Sequence, residues 1–146
     1  MRFRAFVAVA LVLLSGGCHS PVYLEALETP ALVWTQSTGL CSKIIAVDAA
    51  GTVWTHQGCE DGRPNLRDVG AASSMQVADL WVKFDALPFG ETASQTSCSG
   101  RLLHTFSRWN RPSGRAASTC GGSKYDDLSG MPEAFRSMAE ALRALE

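Results

Sequence analysis

Two stretches of the chain combine β-branched and apolar residues in the manner of paired strands. Residues 42–47 and 52–57 flank a short loop that ends at Gly51, where glycine suits the left-handed position of a hairpin loop. If Asp48 faces Thr52 across the three loop residues 49–51, the residue numbers that pair across the hairpin sum to 100, so Val47 faces Val53. The pattern predicts an antiparallel hairpin with this register.

Two other segments repeat apolar residues at helical spacing. Ser73 and Gln76 have the spacing of a capping box, and Pro88 ends the pattern that follows. This first helix carries a stripe made of Val77, Leu80, Trp81 and Phe84. A second helix begins near Pro132, and its stripe consists of Phe135, Met138, Leu142 and Leu145. Both stripes are predicted to face the core.

A second hairpin is predicted from residues 101–109 and 115–119, around a loop centred on Pro112. This register puts Cys120 near His104, and the strand face that carries Phe106 is expected to be the buried one. The order of elements is then ββαββα. The simplest fold that buries both helices is α+β, with an antiparallel sheet of about four strands and two helices packed on one of its faces.

Four cysteines in the predicted domain form an even set, as in disulfide-bonded exported proteins. The first hairpin register sets Cys41 opposite Cys59, and by elimination Cys98 pairs with Cys120. The second pair fits its hairpin less directly, because Cys120 comes near His104 there. Zinc binding is the alternative use of these cysteines, but the chain has no Cys-x-x-Cys or His-x-x-x-His spacing. The prediction is therefore two disulfides and no metal or other cofactor.

The N-terminal residues have the features of an export signal. Arg2 and Arg4 precede the apolar stretch 6–14, which is too short to span a bilayer, and small residues precede Cys18. This arrangement resembles a bacterial lipoprotein signal that ends at a lipobox cysteine. The resemblance implies that residues 1–17 are removed and that Cys18 carries acyl chains such as palmitate. The alternative is an ordinary secretory peptide or short membrane anchor in which Cys18 has no special role.

If the leader is removed, the rest divides into a tether, residues 18–30, and a single domain, residues 31–146. Loss of the two leader arginines reduces the 13 basic residues to about 11, against 14 acidic ones, so no nucleic-acid partner is expected. The tether contains apolar residues that allow part of it to pack on the domain. His19 follows Cys18 where an inner-membrane retention signal would have Asp, which favours the outer membrane, facing the periplasm.

No catalytic motif is apparent. The three histidines lack metal-ligand or nucleophile partners at recognised spacings, and adjacent Asp126 and Asp127 do not suit glycosidase chemistry. The second hairpin is more distinctive, because it gathers basic and aromatic residues of the types enriched at interface hot spots. The possible partner contacts are Arg101, Arg108, Trp109, Arg111 and Arg115. The alternative is that these arginines form a solvated edge that prevents strand-to-strand aggregation.

The order of elements also resembles that of emfourin-type inhibitors of thermolysin-like metallopeptidases. The likeness rests on the long middle helix, on residues 103–107 in a late strand, on the terminal helix from Pro132 and on four residues after a first strand: Thr35, Ser37, Thr38 and Gly39. Where that family has Gly-Gly-Phe, this chain has Thr38, Gly39 and Leu40. Two functions are therefore expected from the sequence: a non-catalytic envelope lipoprotein that binds a protein partner, or an emfourin-like inhibitor.

Overall fold

The computed structural model describes residues 20–59, 62–90, 93–94, 96–109 and 114–146, so Cys18 and Arg111 lie outside the described residues. The strands are β1 (Ala31–Thr38), β2 (Cys41–Val47), β3 (Thr52–Gly58), β4 (Arg67–Ala71), β5 (Leu102–Trp109) and β6 (Ala116–Gly121). They form one antiparallel sheet in the order β4-β3-β2-β1-β5-β6. Two helices, α1 (Ser74–Asp85) and α2 (Glu133–Arg143), complete the α+β fold.

The sheet has six strands, so the prediction of about four strands in the order ββαββα is wrong. The two additional strands are β1 and β4. Strand β1 lies at the centre of the sheet and is buried on both faces at its start, so it lacks the alternation that identifies a half-exposed strand. Strand β4 is an exposed edge with the sequence Arg-Asp-Val-Gly-Ala, whose Gly and Asp disfavour strands, and it forms by pairing with β3.

The two hairpins differ in how well their registers were predicted. In the β2–β3 hairpin Val47 faces Val53, as predicted. In the β5–β6 hairpin Cys120 faces Leu103 instead of His104, one residue from the predicted register. A shift of one residue exchanges the two faces of a strand. The observed register turns Ala117 into the core, where it is fully buried, opposite Phe106.

Both helices pack on the same face of the sheet. The Ser73 hydroxyl accepts from the Gln76 N–H and the Gln76 side chain accepts from the Ser73 N–H, so the predicted capping box is present at the start of α1. Helix α2 begins after Pro132. The shared core contains Trp34, Ile45, Val53 and Phe106 from the sheet, Leu80 and Phe84 from α1, and Phe135, Met138 and Leu142 from α2.

The other face of the sheet is partly covered by the chain that precedes β1. Residues 20–30, expected to belong to the tether, include a 3-10 helix at Leu24–Ala26. Leu27 is 5% exposed and packs in a second apolar cluster with Val33, Ile44 and Leu66. The described part of the tether is thus packed on the domain, as its apolar residues allowed.

Both predicted disulfides are present in the structure. Cys41–Cys59 joins the start of β2 to the end of β3, and Cys98–Cys120 joins the loop before β5 to β6. They close loops of 18 and 22 residues. Closure of loops of this size stabilises the fold by about 3 kcal/mol each in the chain-entropy model.

Candidate interaction site

The residues predicted as a partner contact are spread over the sheet. Arg108 and Arg115 lie next to each other at one end of the β5–β6 hairpin, where the Arg108 N–H donates to the Arg115 carbonyl at 2.8 Å. Arg101 precedes the opposite end of β5, about 23 Å away along an extended strand. Trp109 packs in the apolar cluster on the other face of the sheet. The structure therefore brings together only Arg108 and Arg115 among the described members of the set.

The outer side of α1 carries a line of apolar residues, although it faces away from the core. Met75 is 82% exposed and Val82 is 70% exposed, and they lie two helical turns apart with exposed Ala78 between them. We call Met75, Ala78 and Val82 the α1 stripe. A helix that covers a core normally has polar residues on its outer side. Contiguous exposed apolar residues are a feature of surfaces that bind other molecules.

Trp81 lies beside the α1 stripe and is contacted by one of the arginines. The Arg108 guanidinium carbon lies 5.2 Å from the centroid of the Trp81 ring. Arg108 occupies the same strand face as Phe106, and this alternation directs it towards α1. Trp81 is partly buried, and an arginine over a ring at such a site contributes about 1 kcal/mol. The contact holds a positive charge at the edge of the α1 stripe.

Arg115 makes a similar contact nearby. Its guanidinium carbon lies 3.8 Å from the centroid of the Phe89 ring, and its Nη1 lies 3.7 Å from Oδ1 of Asp85. Within the described residues, no carboxylate forms an ion pair with Arg108. Of the two arginines, Arg108 is thus the one without an ion pair among the described residues.

A groove of about 360 Å³ separates α1 from the β2–β3 loop. Its lining is small or apolar and includes Ala49, Ala50, Ala72, Val77, Ala78 and Trp81. The short side chains of the loop allow another chain to approach α1 closely. The α1 stripe, Trp81 and this groove form one continuous surface because they share Ala78 and the helix that carries them.

Sequence reasoning did not identify the α1 stripe. It placed the four apolar residues of the core stripe correctly: Leu80 and Phe84 are buried in the core cluster, and Val77 and Trp81 pack against it. The missed signal was a second pair of apolar residues, Met75 and Val82, seven positions apart and on the opposite side of the same helix.

A polar network lies at the other end of the helix-covered face. Lys43 is 6% exposed, and its Nζ donates to Asp126 Oδ2 at 2.7 Å and to Glu146 Oε2 at 2.8 Å. The Gln36 amide donates to Asp126 Oδ1, and the Asp126 N–H donates to Gln36 Oε1. These bonds connect the middle of the sheet to the loop before α2 and to Glu146, which follows α2.

The charges of this network stabilise one another. Burial disfavours charged Lys43, but the hydrogen bonds and charges of Asp126 and Glu146 outweigh it and raise the pKa of Lys43 above its usual 10.5. Burial likewise opposes ionisation of Asp126, yet the hydrogen bonds from Lys43 and Gln36 lower the pKa of Asp126 below 3.8. Both groups are charged at neutral pH, and every described contact of the network is structural.

His104 is also accounted for by structural contacts. Its Nδ1 accepts a hydrogen bond from the Trp34 indole at 3.2 Å, so its Nε2 carries the proton and donates to the Gly121 carbonyl at 3.0 Å. Burial lowers the pKa of His104 below 6.5. His104 is therefore a neutral core residue at pH 7, with both ring nitrogens occupied.

The tip of the β1–β2 hairpin presents a separate apolar residue. Leu40 is 76% exposed, and it follows Gly39, whose φ of 59° suits the first position of a tight two-residue loop. The Cys41–Cys59 disulfide lies directly beside this tip. Leu40 is thus a protruding side chain on a firmly held loop.

Other candidate chemistry is limited in the described part of the chain. No group of three or more His, Cys, Asp or Glu residues is placed there to hold a metal ion. Arg101 lines a shallow cavity of about 360 Å³ with Ser97, Ser118 and Pro132. Among the described helices, none is long and apolar enough to cross a membrane.

Comparisons with protein-family models, with curated proteins and with solved structures found no match to this chain.

Proposed function

We propose that this chain is a non-catalytic lipoprotein of the bacterial cell envelope that binds a protein partner. The leader that ends at Cys18 supports the lipid anchor, with the domain at the outer membrane and facing the periplasm. The observation that carries the binding function is the α1 stripe, an exposed apolar surface on a helix whose opposite side already forms the core.

The partner that fits this surface is an amphipathic helix with a carboxylate at its edge. Its apolar side would pack on Met75 and Val82, and the groove beside Trp81 leaves room for close approach. Its carboxylate would neutralise Arg108, which is held over the Trp81 ring and has no ion-pair partner among the described residues. Apolar contact supplies most of the affinity, and the charge sets the orientation.

The contribution of the α1 stripe to the free energy of partner binding can be estimated from the exposure of its side chains. Burial of a whole Val or Met side chain is worth about 1.5–3 kcal/mol, so Met75 and Val82, both largely exposed, would together contribute about 3 kcal/mol to binding. A Met75→Ser/Val82→Ser variant should then bind its partner about 100-fold more weakly. Val69→Ser is the matched control, because Val69 is an exposed valine on β4 that belongs to neither the α1 stripe nor the lining of the groove.

The test begins with mild crosslinking of the lipidated protein in envelope fractions and identification of the protein that is recovered. The dissociation constant of the purified partner is then measured for the unchanged protein, the double variant and Val69→Ser. The proposal predicts loss of affinity only in the double variant. Equal affinity of all three proteins would exclude the α1 stripe as the binding surface.

The lipid anchor has its own test. Cys18→Ser should abolish acyl labelling and release the protein from the membrane fraction, because each buried methylene of an acyl chain contributes about 0.8 kcal/mol to membrane binding. Acyl labelling that persists in Cys18→Ser would refute the assignment of the anchor to this residue.

A second candidate function is inhibition of a thermolysin-like metallopeptidase, which the resemblance to emfourin-type inhibitors implies. The observation in its favour is Leu40, which is 76% exposed at a hairpin tip held by the Cys41–Cys59 disulfide. A preordered loop loses little conformational entropy when it enters a cleft. Leu40→Asp should abolish inhibition of a purified enzyme of this class, whereas Val82→Ser should retain it. Lack of inhibition across several such enzymes would eliminate this candidate.

A further inference from the structure

The folded domain begins only four residues after the proposed lipid anchor. The Val22 N–H donates to Asn65 Oδ1 at 3.0 Å, and the Leu66 N–H donates to the Val22 carbonyl at 2.7 Å. Val22 and Leu66 form an isolated antiparallel bridge, and Leu27 follows in the apolar cluster on the same face of the sheet. Val22 is therefore fixed to the domain by backbone pairing.

This attachment leaves very little chain for a flexible tether. From Cys18 to Val22 there are four residue steps, which span at most about 14 Å when fully extended. The polar headgroup region on each side of a bilayer is itself about 5–8 Å thick. If Cys18 carries the acyl chains, Val22 lies at or just outside the headgroups. This step rests on the proposed function, because it requires a lipid on Cys18.

The surface around Val22 has residues that suit contact with lipid headgroups. The guanidinium carbon of Arg63 lies 4.5 Å from the centroid of the Tyr23 ring, and Arg63 Nη2 lies 2.8 Å from Glu25 Oε1. Tyrosine and arginine are both favoured at membrane–water interfaces. Since Glu25 neutralises Arg63, the contact does not depend on anionic lipids. We call Tyr23, Arg63 and the adjoining Pro64 the Tyr23 surface.

The Tyr23 surface and the α1 stripe belong to opposite faces of the sheet. The segment that contains Val22 and Leu27 covers one face, whereas α1 packs on the other through Leu80 and Phe84. The sheet and a helix layer about 10 Å in diameter lie between the two surfaces. An attachment that holds one of them at the membrane necessarily directs the other away from it.

We propose that the Tyr23 surface lies against the membrane and that the short Cys18–Val22 connection orients the domain so that the α1 stripe faces away from the bilayer. The occupant of the Tyr23 surface is the lipid headgroup layer of the membrane that holds the anchor. The short connection makes the lipid anchor determine the orientation of the domain as well as its location. A tether of this length is too short for the domain to rotate until the α1 stripe faces the bilayer.

The experiment uses the full lipidated protein in phosphatidylcholine vesicles that contain a nickel-chelating lipid. A nitroxide is attached to a noncanonical residue at position 62 or at position 82, and the relaxation caused by the surface nickel is measured. Gly62 is exposed beside the Tyr23 surface with open space around its Cα, and position 82 is on the α1 stripe, so both accept a label. The proposal predicts a several-fold stronger effect at position 62. Equal effects, or a stronger effect at position 82, would overturn it.

A lengthened tether is the matched control. Insertion of twelve Gly/Ser residues between Ser20 and Pro21 leaves the domain unchanged but extends the connection to a flexible chain with a root-mean-square length of about 22 Å. The difference between positions 62 and 82 should then largely disappear. Acyl mass analysis and flotation with the vesicles distinguish failure of the lipid anchor from failure of the proposed orientation. Protein without acyl chains that fails to float overturns the lipid anchor and the orientation together, whereas acylated, floating protein with equal relaxation overturns the orientation alone.

Discussion

Replacement of Lys43 by methionine removes the only positive charge that contacts both Asp126 and Glu146 within the described residues, with little change in side-chain volume. The Lys43 side chain is 8% exposed, whereas the two carboxylates are 33% and 30% exposed. Removal of one partner of a fully buried ion pair costs about 3–5 kcal/mol. Because water reaches both carboxylates here, the expected loss of unfolding free energy is smaller, about 2–3 kcal/mol at pH 7.

The assay is urea unfolding of the oxidised domain at pH 7, with two comparison proteins. Lys83→Met makes the same chemical change in an exposed i,i+4 pair with Asp79, where the expected loss is about 0.5 kcal/mol. Asp126→Asn completes a double-mutant cycle with Lys43→Met, since asparagine tolerates the positive φ of 65° at this position. The coupling between the two sites should exceed about 1 kcal/mol.

The loss of unfolding free energy in Lys43→Met should also depend on pH and should decrease in acid. The folded pKa of Asp126 lies below its ordinary 3.8, so its stabilisation is complete above that value and is lost as the pH falls through the folded pKa. The pKa of Lys43 is raised, so its contribution is complete below 10.5 and is lost only as the pH rises through its higher folded value. The cost of Lys43→Met should therefore shrink below pH 3.8. A cost no larger than that of Lys83→Met, or one unchanged in acid, would refute the reasoning.

Two further predictions concern a glycine in a turn and the second disulfide. Gly122 has a φ of 59°, and an added Cβ would lie 2.0 Å from the Asp127 carbonyl oxygen. Gly122→Ala should therefore destabilise the domain much more than Gly39→Ala, because Gly39 has the same φ but open space around it. Equal melting temperatures of the two variants would contradict this prediction. Replacement of Cys98 and Cys120 by serine should lower the unfolding free energy by about 3 kcal/mol, measured by urea unfolding, and a change below 1 kcal/mol would contradict the loop-closure argument.

The helices and the first hairpin could be predicted from sequence because their signals are local. The capping box at Ser73 and the apolar stripe that ends at Phe84 lie within one segment, and they define α1 without reference to the rest of the chain. The register that puts Val47 opposite Val53 depends only on the length of one loop, and it brings Cys41 to Cys59. In each case the residues that determine the element are close in sequence.

The candidate site was predicted only in part. Arginine enrichment near the second hairpin drew attention to Arg108 and Arg115, and the structure places them beside the rings of Trp81 and Phe89. Arg101 and Trp109 were grouped with them because they are near in sequence, yet a strand separates its ends by many ångströms and directs neighbouring residues to opposite faces. The α1 stripe had a sequence signal, because Met75 and Val82 lie opposite the predicted core stripe, but only the structure shows that none of the other described elements covers them.

By itself, the sequence determined the α+β class, both helices, the first hairpin and the two disulfides, because each depends on spacing within a short stretch or on a small number of possible pairings. Only the tertiary structure decided that β1 is the centre of a six-stranded sheet, that β4 is a strand and that Lys43 meets Asp126 from 83 residues away. These features depend on contacts between distant segments, in which a one-residue shift exchanges core and solvent faces. The path of residues 20–30 over the second face is of the same kind, because burial of Leu27 requires a sheet that later residues complete.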